Sequence, residues 1–218
     1  MRAQADIAAP GPLLDIRGLV VRFEAGGGAF DVVRGVDFAL ERGRTLCLVG
    51  ESGCGKSLTA MAILGLLPRS GRIASGQVLF DNMDLAGRGE EELRGVRGRR
   101  IGMIFQEPMT SLNPTMTIGE QIAEVLRTHL GMGRRQARTR TLDLLGMVRI
   151  ARAAQRMDDY PYMFSGGMRQ RVMIALALAC SPELLIADEP TTALDVTVQS
   201  EILDLLRGIQ DEHGTALL

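Results

Sequence analysis

The stretch Gly50-Glu51-Ser52-Gly53-Cys54-Gly55-Lys56-Ser57 has the spacing G-x-x-x-x-G-K-S and decides the fold of the chain around it. It follows the apolar run 45–49, which predicts a buried strand, and it leads into the helix-compatible segment 58–67. Strand, glycine loop and helix are the context in which this spacing wraps backbone N–H groups around a phosphate. A chance glycine turn is the alternative, and the flanking pattern disfavours it.

Lys56 is the only lysine in the chain, although Lys and Arg together number 25. The sequence uses arginine for generic cations and places a compact ammonium at the one position where it must fit among phosphates. In such a loop the lysine reaches the β- and γ-phosphates, and the hydroxyl of the next residue holds Mg²⁺. We therefore expect contacts to ATP from Gly50, Glu51, Ser52, Gly53, Cys54, Gly55, Lys56, Ser57 and Leu58, with Ser57 also a ligand of Mg²⁺.

The bulk composition is that of a soluble globular protein. At 218 residues, with 46% hydrophobic and 23% charged residues, the chain can bury one sizeable core with an inserted subdomain. A net charge of −1 argues against strong electrostatic attraction to nucleic acid. Three cysteines without C-x-x-C spacing favour a reducing compartment. No uninterrupted apolar stretch is long enough to span a bilayer, so we expect membrane association through a partner.

Hydrophobic patterning predicts strands on both sides of the loop. Regions 13–23 and 32–40 precede it, and short strands at 76–80 and 101–105 follow it. This order indicates an antiparallel β-layer beside a parallel α/β core. From Gln106 onward the segments 117–128, 134–147 and 165–180 are helical, which predicts a helical insertion.

The same pattern divides the chain. We expect a flexible leader at 1–12, a β-layer with the phosphate-loop core at 13–105, a helical subdomain at 106–180 and the rest of the core at 181–218. Residues 215–218 begin an apolar strand, so we expect the core to be truncated there. The basic clusters 94–100 and 134–140 are expected to be solvated helix faces, with a protein-contact surface as the alternative.

Two adjacent carboxylates, Asp188 and Glu189, follow the apolar run 184–187. Burying them at the carboxyl end of a strand is costly unless a metal or a reacting water meets them. Asp188 suits an outer contact to Mg²⁺, and Glu189 suits polarising the water that attacks a γ-phosphate. The alternative is an acidic turn that has no catalytic or metal-binding role.

Five motifs in order carry a family resemblance from about Leu13 to the last residue. They are the phosphate loop, Gln106, the stretch Ser165-Gly166-Gly167-Met168-Arg169-Gln170, residues 184–189 and Ala193-Leu194-Asp195. This set resembles the ATP-binding subunit of an ABC transporter. Two further stretches, 105–114 and 160–164, resemble the dipeptide and oligopeptide importer branch, which also serves nickel and glutathione.

The resemblance implies site roles that composition does not. Gln106 would contact Mg²⁺ and the attacking water, and would link nucleotide state to the helical subdomain. Ser165, Gly166 and Gly167, at a helix N-terminus, would bind the γ-phosphate held by a second subunit. Asp195 would sit at the seam between the subunits. Phe23 matches an aromatic position that stacks on adenine, although a strand-end phenylalanine could equally belong to the core.

Two features depart from the family pattern. Met168 stands where the commonest pattern has glutamine, which puts a polar contact to the partner's nucleotide in doubt. The family's switch histidine normally follows the strand that begins at Thr215, and neither His129 nor His213 matches it. We expect both histidines to be surface or helix-end residues.

The resemblance implies an α/β fold: a P-loop NTPase (RecA-like) core, an antiparallel β-layer and an inserted α-helical subdomain. It also implies an ATPase that powers peptide or similar small-solute uptake, with ATP and Mg²⁺ as cofactors. Its partners would be transmembrane permease subunits, a second ATP-binding subunit, like or unlike, and indirectly a substrate-binding protein, but no nucleic acid. The location would be peripheral, on the cytoplasmic face of the inner membrane. The alternatives are an ABC-type ATPase acting on nucleic acid or ribosomes, and an ATP-binding fragment with little hydrolysis.

Overall fold

A computed structural model describes residues 11–192 and 194–218. Its first layer is an antiparallel sheet of four strands in the order β2-β1-β3-β4. The strands are β1 (Leu14–Ala25), β2 (Gly28–Leu40), β3 (Gly71–Phe80) and β4 (Met83–Asp84). The predicted β-layer is therefore confirmed, with strands longer than expected. Residues 1–10 of the predicted leader lie outside the described residues.

The second sheet is parallel and contains three strands in the order β5-β6-β7. They are β5 (Ile101–Ile104), β6 (Leu184–Ala187) and β7 (Ala216–Leu217). Since β5 and β6 are parallel neighbours, their carboxyl ends meet at one edge, where open α/β sheets place ligands. Gln106 and Asp188 follow these two ends.

The prediction of a buried strand at 45–49 is wrong for the chain as described. Thr45 makes one isolated parallel bridge to Leu217, and the N–H of Leu46 donates to the carbonyl of Leu217 at 2.8 Å. Beyond that point Cys47 is exposed and Val49 is 93% exposed. The physical reason is that β7 ends at Leu217, so no strand among the described residues runs beside residues 46–49.

Eight α-helices lie within the described part of the chain. They are α1 (Lys56–Ile63), α2 (Glu90–Val96), α3 (Pro108–Ser111), α4 (Ile118–Leu130), α5 (Arg134–Met147), α6 (Ala153–Arg156), α7 (Gly166–Ala177) and α8 (Val196–His213). Among the described residues between β5 and β6 the regular elements are all helical, in agreement with a helical insertion. Helix α1 ends at Ile63, four residues earlier than expected, with a turn at Gly65 in a left-handed conformation (φ +62°).

Two hydrophobic clusters form the core. One joins the β-layer to α1 and to β6 residues such as Leu184 and Ile186. The other joins the helical insertion to α8 and to Leu185, which points to the opposite face of β6. Strand β6 is thus buried on both faces, as its uninterrupted apolar sequence requires.

A ring of four charged side chains ties the β-layer to the parallel sheet. Arg100 donates to Asp81 at 2.7 Å and to Glu183 at 2.6 Å, and Arg42 pairs with the same two carboxylates. The hydrogen bond from Arg100 is the main reason that the pKa values of Asp81 and Glu183 lie below their ordinary range. Two arginines of the basic cluster 94–100 thus have partners. Arg100 belongs to the ring, and Arg97 donates to Glu90 and to the carbonyls of residues 64 and 65. These two side chains do not form the solvated face that was expected.

Candidate functional site

The predicted phosphate loop encloses the side chain of Lys56. Its Nζ donates to the carbonyls of Gly50 at 2.8 Å and Glu51 at 2.9 Å. Gly53 and Gly55 take left-handed conformations (φ +82° and +100°) that disfavour any residue with a Cβ. The loop thus folds back on the ammonium through two of its carbonyls.

Helix α1 begins at the loop with an open N-terminus. Its cap residue is Gly55, none of the described side chains accepts from its first N–H groups, and its first turn has no acidic residue. A Cβ on Gly55 would lie 3.1 Å from Cγ2 of Val33, which sets the loop directly against β2. Free N–H groups and the positive end of the helix dipole make this a site for an anion.

The structure brings the two predicted magnesium ligands Ser57 and Asp188 together, although they are 131 residues apart. The Ser57 hydroxyl donates to Oδ1 of Asp188 at 2.9 Å. The N–H of Asp188 donates to the carbonyl of Ile104 at 3.0 Å, so the parallel sheet fixes its position. A hydroxyl and a carboxylate are hard oxygen ligands that suit Mg²⁺, which keeps several of its waters.

Glu189 and Gln106 meet beside this pair. Nε2 of Gln106 donates to Oε2 of Glu189 at 3.2 Å, and Oγ1 of Thr192 donates to the same oxygen at 3.0 Å. Oε1 of Glu189 lies 3.9 Å from Nζ of Lys56. Glu189 has φ +48°, an uncommon conformation for a glutamate.

The predicted residues Ser165, Gly166 and Gly167 lie at the start of α7 and make no described hydrogen bond to the phosphate loop. Ser165 is the N-cap and its side chain makes no capping hydrogen bond, so the first N–H groups of α7 have no side-chain acceptor within the described part of the chain. A Cβ on Gly167 would lie 2.8 Å from Val198 of α8. Asp195 caps α8 by accepting from the N–H of Val198 at 3.0 Å.

Phe23 packs at the edge of the β-layer cluster, and its ring stacks on that of Phe30. Both predicted roles, core residue and base-stacking residue, are compatible with this partly buried position.

A cavity of about 470 Å³ lies between residues 45–48, which lead into the phosphate loop, and α8. Lys56, Asp188 and Glu189 line it, and apolar side chains such as Leu48 and Leu206 make up most of the remaining wall.

One contact that the sequence does not reveal joins α7 to the segment directly after Glu189. Nε2 of the buried Gln170 donates to the carbonyl of Pro190 at 2.6 Å. Gln170 belongs to a quoted motif, but no sequence pattern reveals its partner 20 residues away.

No described helix has the length and apolarity needed to cross a membrane. No group of three or more His, Cys, Asp and Glu side chains in the described ranges is placed to hold a metal ion. A magnesium site at Ser57 and Asp188 needs no such group, because one of its two ligands is a hydroxyl and Mg²⁺ keeps several waters.

The fold and the site together define a P-loop NTPase with a helical insertion. A family profile described as ABC transporter matches residues 33–192. The chain belongs to the ABC transporter family.

Curated relatives and solved structures agree with this assignment. The chain is 51% identical to the dipeptide transport ATP-binding protein DppD of Bacillus subtilis, over 94% of this chain and 62% of DppD. It is 50% identical to the glutathione import ATP-binding protein GsiA of Pectobacterium atrosepticum, over 94% of this chain and 34% of GsiA. The chain therefore spans less than two thirds of these relatives. The dimeric ATP-binding cassette MJ0796, solved with ADP and Pi, superposes with a TM-score of 0.83 at 28% identity, over 94% of this chain and 85% of MJ0796.

Proposed function

We propose that this chain is the ATP-binding and ATP-hydrolysing subunit that powers uptake of peptides or similar small solutes by an ABC transporter. The observation that carries the proposal is the convergence of Lys56, Ser57, Asp188 and Glu189 on one edge of the parallel sheet. Two of these residues come from the phosphate loop and two from the end of β6. The names of the relatives, a dipeptide and a glutathione transport protein, support the solute class.

In this proposal the phosphate loop holds the nucleotide. Lys56 turns its ammonium from the carbonyls of Gly50 and Glu51 to the β- and γ-phosphates, and the open end of α1 receives the phosphate oxygens. Residues 50–58 surround the phosphates. Ser57 and Asp188, with Gln106, would hold Mg²⁺, which when bound neutralises charge that develops on the transferred phosphoryl group.

Glu189 would orient and polarise the attacking water. Gln106 and Thr192 both donate to Oε2 of its carboxylate, and Oε1 is directed toward Lys56. Gln106 begins the segment that leads from β5 into the helical insertion. A change in its contact to Glu189 would therefore pass the nucleotide state to the helices.

We infer that two such subunits sandwich each nucleotide. The open N-terminus of α7, with Ser165, Gly166 and Gly167, makes no described hydrogen bond to its own phosphate loop and can serve the loop of a second subunit. Asp195 lies beside this helix through Val198 and Gly167. The dimeric state of MJ0796 supports this arrangement. Permease subunits would hold the pair at the cytoplasmic face of the membrane, with a substrate-binding protein acting through them.

The test is Glu189→Gln in the full-length protein. This change keeps the shape and removes the base, so we expect ATP binding to persist, hydrolysis to fall by about 10²–10⁴-fold and an ATP-bound dimer to accumulate. Nucleotide binding, phosphate release and size-exclusion chromatography measure these three properties. The exposed Glu212→Gln in α8 is the control. A Glu189→Gln protein that neither binds nucleotide nor associates would refute the proposal.

A further inference from the structure

The two oxygens of the Glu189 carboxylate have different surroundings. Oε2 accepts hydrogen bonds from Nε2 of Gln106 at 3.2 Å and from Oγ1 of Thr192 at 3.0 Å. Oε1 lies 3.9 Å from Nζ of Lys56, which is longer than a hydrogen bond, and it accepts no hydrogen bond from the described residues. A carboxylate oxygen offers about two lone pairs, so donors occupy those of Oε2 and leave those of Oε1 open.

Thr192 and Glu189 lie on one tight turn. The N–H of Thr192 donates to the carbonyl of Glu189 at 3.1 Å, and its hydroxyl donates to the carboxylate of the same residue. Gln106 differs, because it begins the segment that leads into the helical insertion and would also hold Mg²⁺. Of the two donors to Oε2, Thr192 is therefore the one whose position is set within the same turn.

Helix α8 holds the carbonyls on both sides of Thr192. Nε2 of Gln199 donates to the carbonyls of Thr191 and Leu194, each at 3.1 Å. A primary amide has two N–H groups, so Gln199 commits both of them to this segment. The N–H of Leu194 also donates to the carbonyl of Thr191 at 3.3 Å, which closes a turn around Thr192. The segment thus has little freedom to turn the Thr192 hydroxyl away from Glu189.

We propose that Thr192, held by Gln199, is a positioning residue for hydrolysis, and that Oε1 of Glu189 is the oxygen that takes the proton of the attacking water. The inference rests on the proposed function, in which Glu189 is the base. The water oxygen bonds to the γ-phosphorus, the bond from that phosphorus to the β,γ-bridging oxygen breaks with its electron pair on ADP, and one water proton passes to Oε1.

The hydroxyl of Thr192 matters because the side chain of a glutamate does not fix its own carboxylate. The last torsion of glutamate has broad minima, so a carboxylate without a fixed donor can rotate. Such a rotation would turn Oε1 away from the water. Thr192 therefore acts on the rate of the chemical step and not on nucleotide binding.

The experiment measures steady-state hydrolysis and equilibrium ATP affinity of the full-length protein. Thr192→Val replaces the hydroxyl with a methyl group, so kcat should fall about tenfold because a hydrogen bond to a charged group is lost. KM and ATP affinity should stay within about twofold. Thr192→Ser keeps the hydroxyl and should retain most of kcat, whereas Gln199→Leu should lower kcat severalfold at unchanged ATP affinity. Thr139→Val in α5 is the control, since it removes an exposed hydroxyl that donates to the carbonyl of Arg135 at 3.2 Å.

A second measurement separates positioning of the base from a general structural effect. The Glu189→Gln protein has no base left to orient. Adding Thr192→Val to it should therefore leave the residual hydrolysis unchanged within about twofold.

The outcomes distinguish this inference from the proposed function. Unchanged kcat in Thr192→Val would overturn the inference, and so would an equal loss in Thr192→Ser. The same loss in the Glu189→Gln background, or a matching loss of ATP affinity, would also overturn it, since Thr192 would then not act on the base. Unchanged kcat in Gln199→Leu would overturn the role of Gln199 as the anchor. Undiminished hydrolysis by the Glu189→Gln protein would instead refute the proposed function of Glu189 itself.

Discussion

The side chain of Gln170 in α7 donates a hydrogen bond to the carbonyl of Pro190, the residue directly after Glu189. The helix α7 thus carries the open N-terminus at Ser165 and, on its next turn, a hydrogen bond to the segment that follows Asp188 and Glu189. The link is buried, since Gln170 is 2% exposed.

Replacing Gln170 with leucine should lower both stability and turnover. The change leaves the carbonyl of Pro190 without its donor, so we expect the free energy of unfolding to fall by about 1–3 kcal/mol. Since the loop after β6 loses its anchor, turnover should fall more than ATP affinity does. Urea unfolding and steady-state hydrolysis measure the two effects. The exposed Gln155→Leu should change stability by less than about 0.5 kcal/mol. Equal stability of the Gln170→Leu and Gln155→Leu proteins would contradict the assigned link.

Lys56→Ala should weaken binding of a fluorescent ATP analogue by about tenfold or more, because it removes a charged donor from the phosphates. Lys56→Arg should also weaken binding, since a guanidinium fork does not fit where Nζ meets the carbonyls of Gly50 and Glu51. Arg135→Ala in α5 is the matched removal of a positive charge. Undiminished affinity in Lys56→Ala would show that the loop does not grip the phosphates.

Two glycine-to-alanine changes should have opposite signs. Gly55→Ala forces a Cβ into a left-handed conformation against Val33, so we expect a loss of about 1–2 kcal/mol in the free energy of unfolding. Gly208→Ala, inside α8 with nothing within 4 Å of the new Cβ, should gain about 0.5–1 kcal/mol. Thermal and urea unfolding check both. A gain in stability for Gly55→Ala as well would mean that the loop tolerates a side chain.

The charged ring predicts a dependence of stability on pH. The pKa of Asp81 is lowered from an ordinary 3.8, first by the hydrogen bond from Arg100, so its folded form binds protons less readily than the unfolded chain. Its contribution is therefore complete above about pH 5 and is lost as the pH falls through 4 and below. Asp81→Asn, which tolerates the left-handed φ of +51°, should cost about 1 kcal/mol at pH 7.

The difference between the Asp81→Asn and unmodified proteins should shrink toward zero near pH 3, as measured by urea unfolding at several pH values. Asp143→Asn on the exposed side of α5 is the control. A difference that stays constant between pH 7 and pH 3 would mean that the carboxylate charge contributes nothing to the ring.

Local sequence patterns predicted helices and strands well where the residues of a segment determine whether it is buried and where it ends. The bounds of α5 and β6 are those expected, because their periodicity and flanking residues are unambiguous. The strand at 45–49 failed, since apolar content indicates a buried strand but does not say whether a neighbour pairs with it. Contacts such as Gln170 with Pro190, or Arg42 with Glu183 across 141 residues, depend on tertiary packing that no local pattern contains.

The residues of the candidate site also fall into those that a local motif predicts and those that depend on tertiary packing. The loop and the carboxylates were predicted because each motif has a chemical reason within a few residues. The exposure of Phe30 and its pairing with Phe23 follow from strand register, which a bulge between Val21 and Arg22 shifts. The sequence does not reveal the bulge, so it does not show which aromatic residues are opposed across the two strands.

The solitary side-chain amine has a practical consequence for anyone who handles the protein. Within these 218 residues, and apart from any terminal amine, amine-reactive dyes, crosslinkers and sensor-chip chemistries have one target, the Nζ enclosed by the loop at Gly50 and Glu51. Such reagents would inactivate the site that they are meant to report on. Conversely, protection of that amine by added nucleotide would measure occupancy directly.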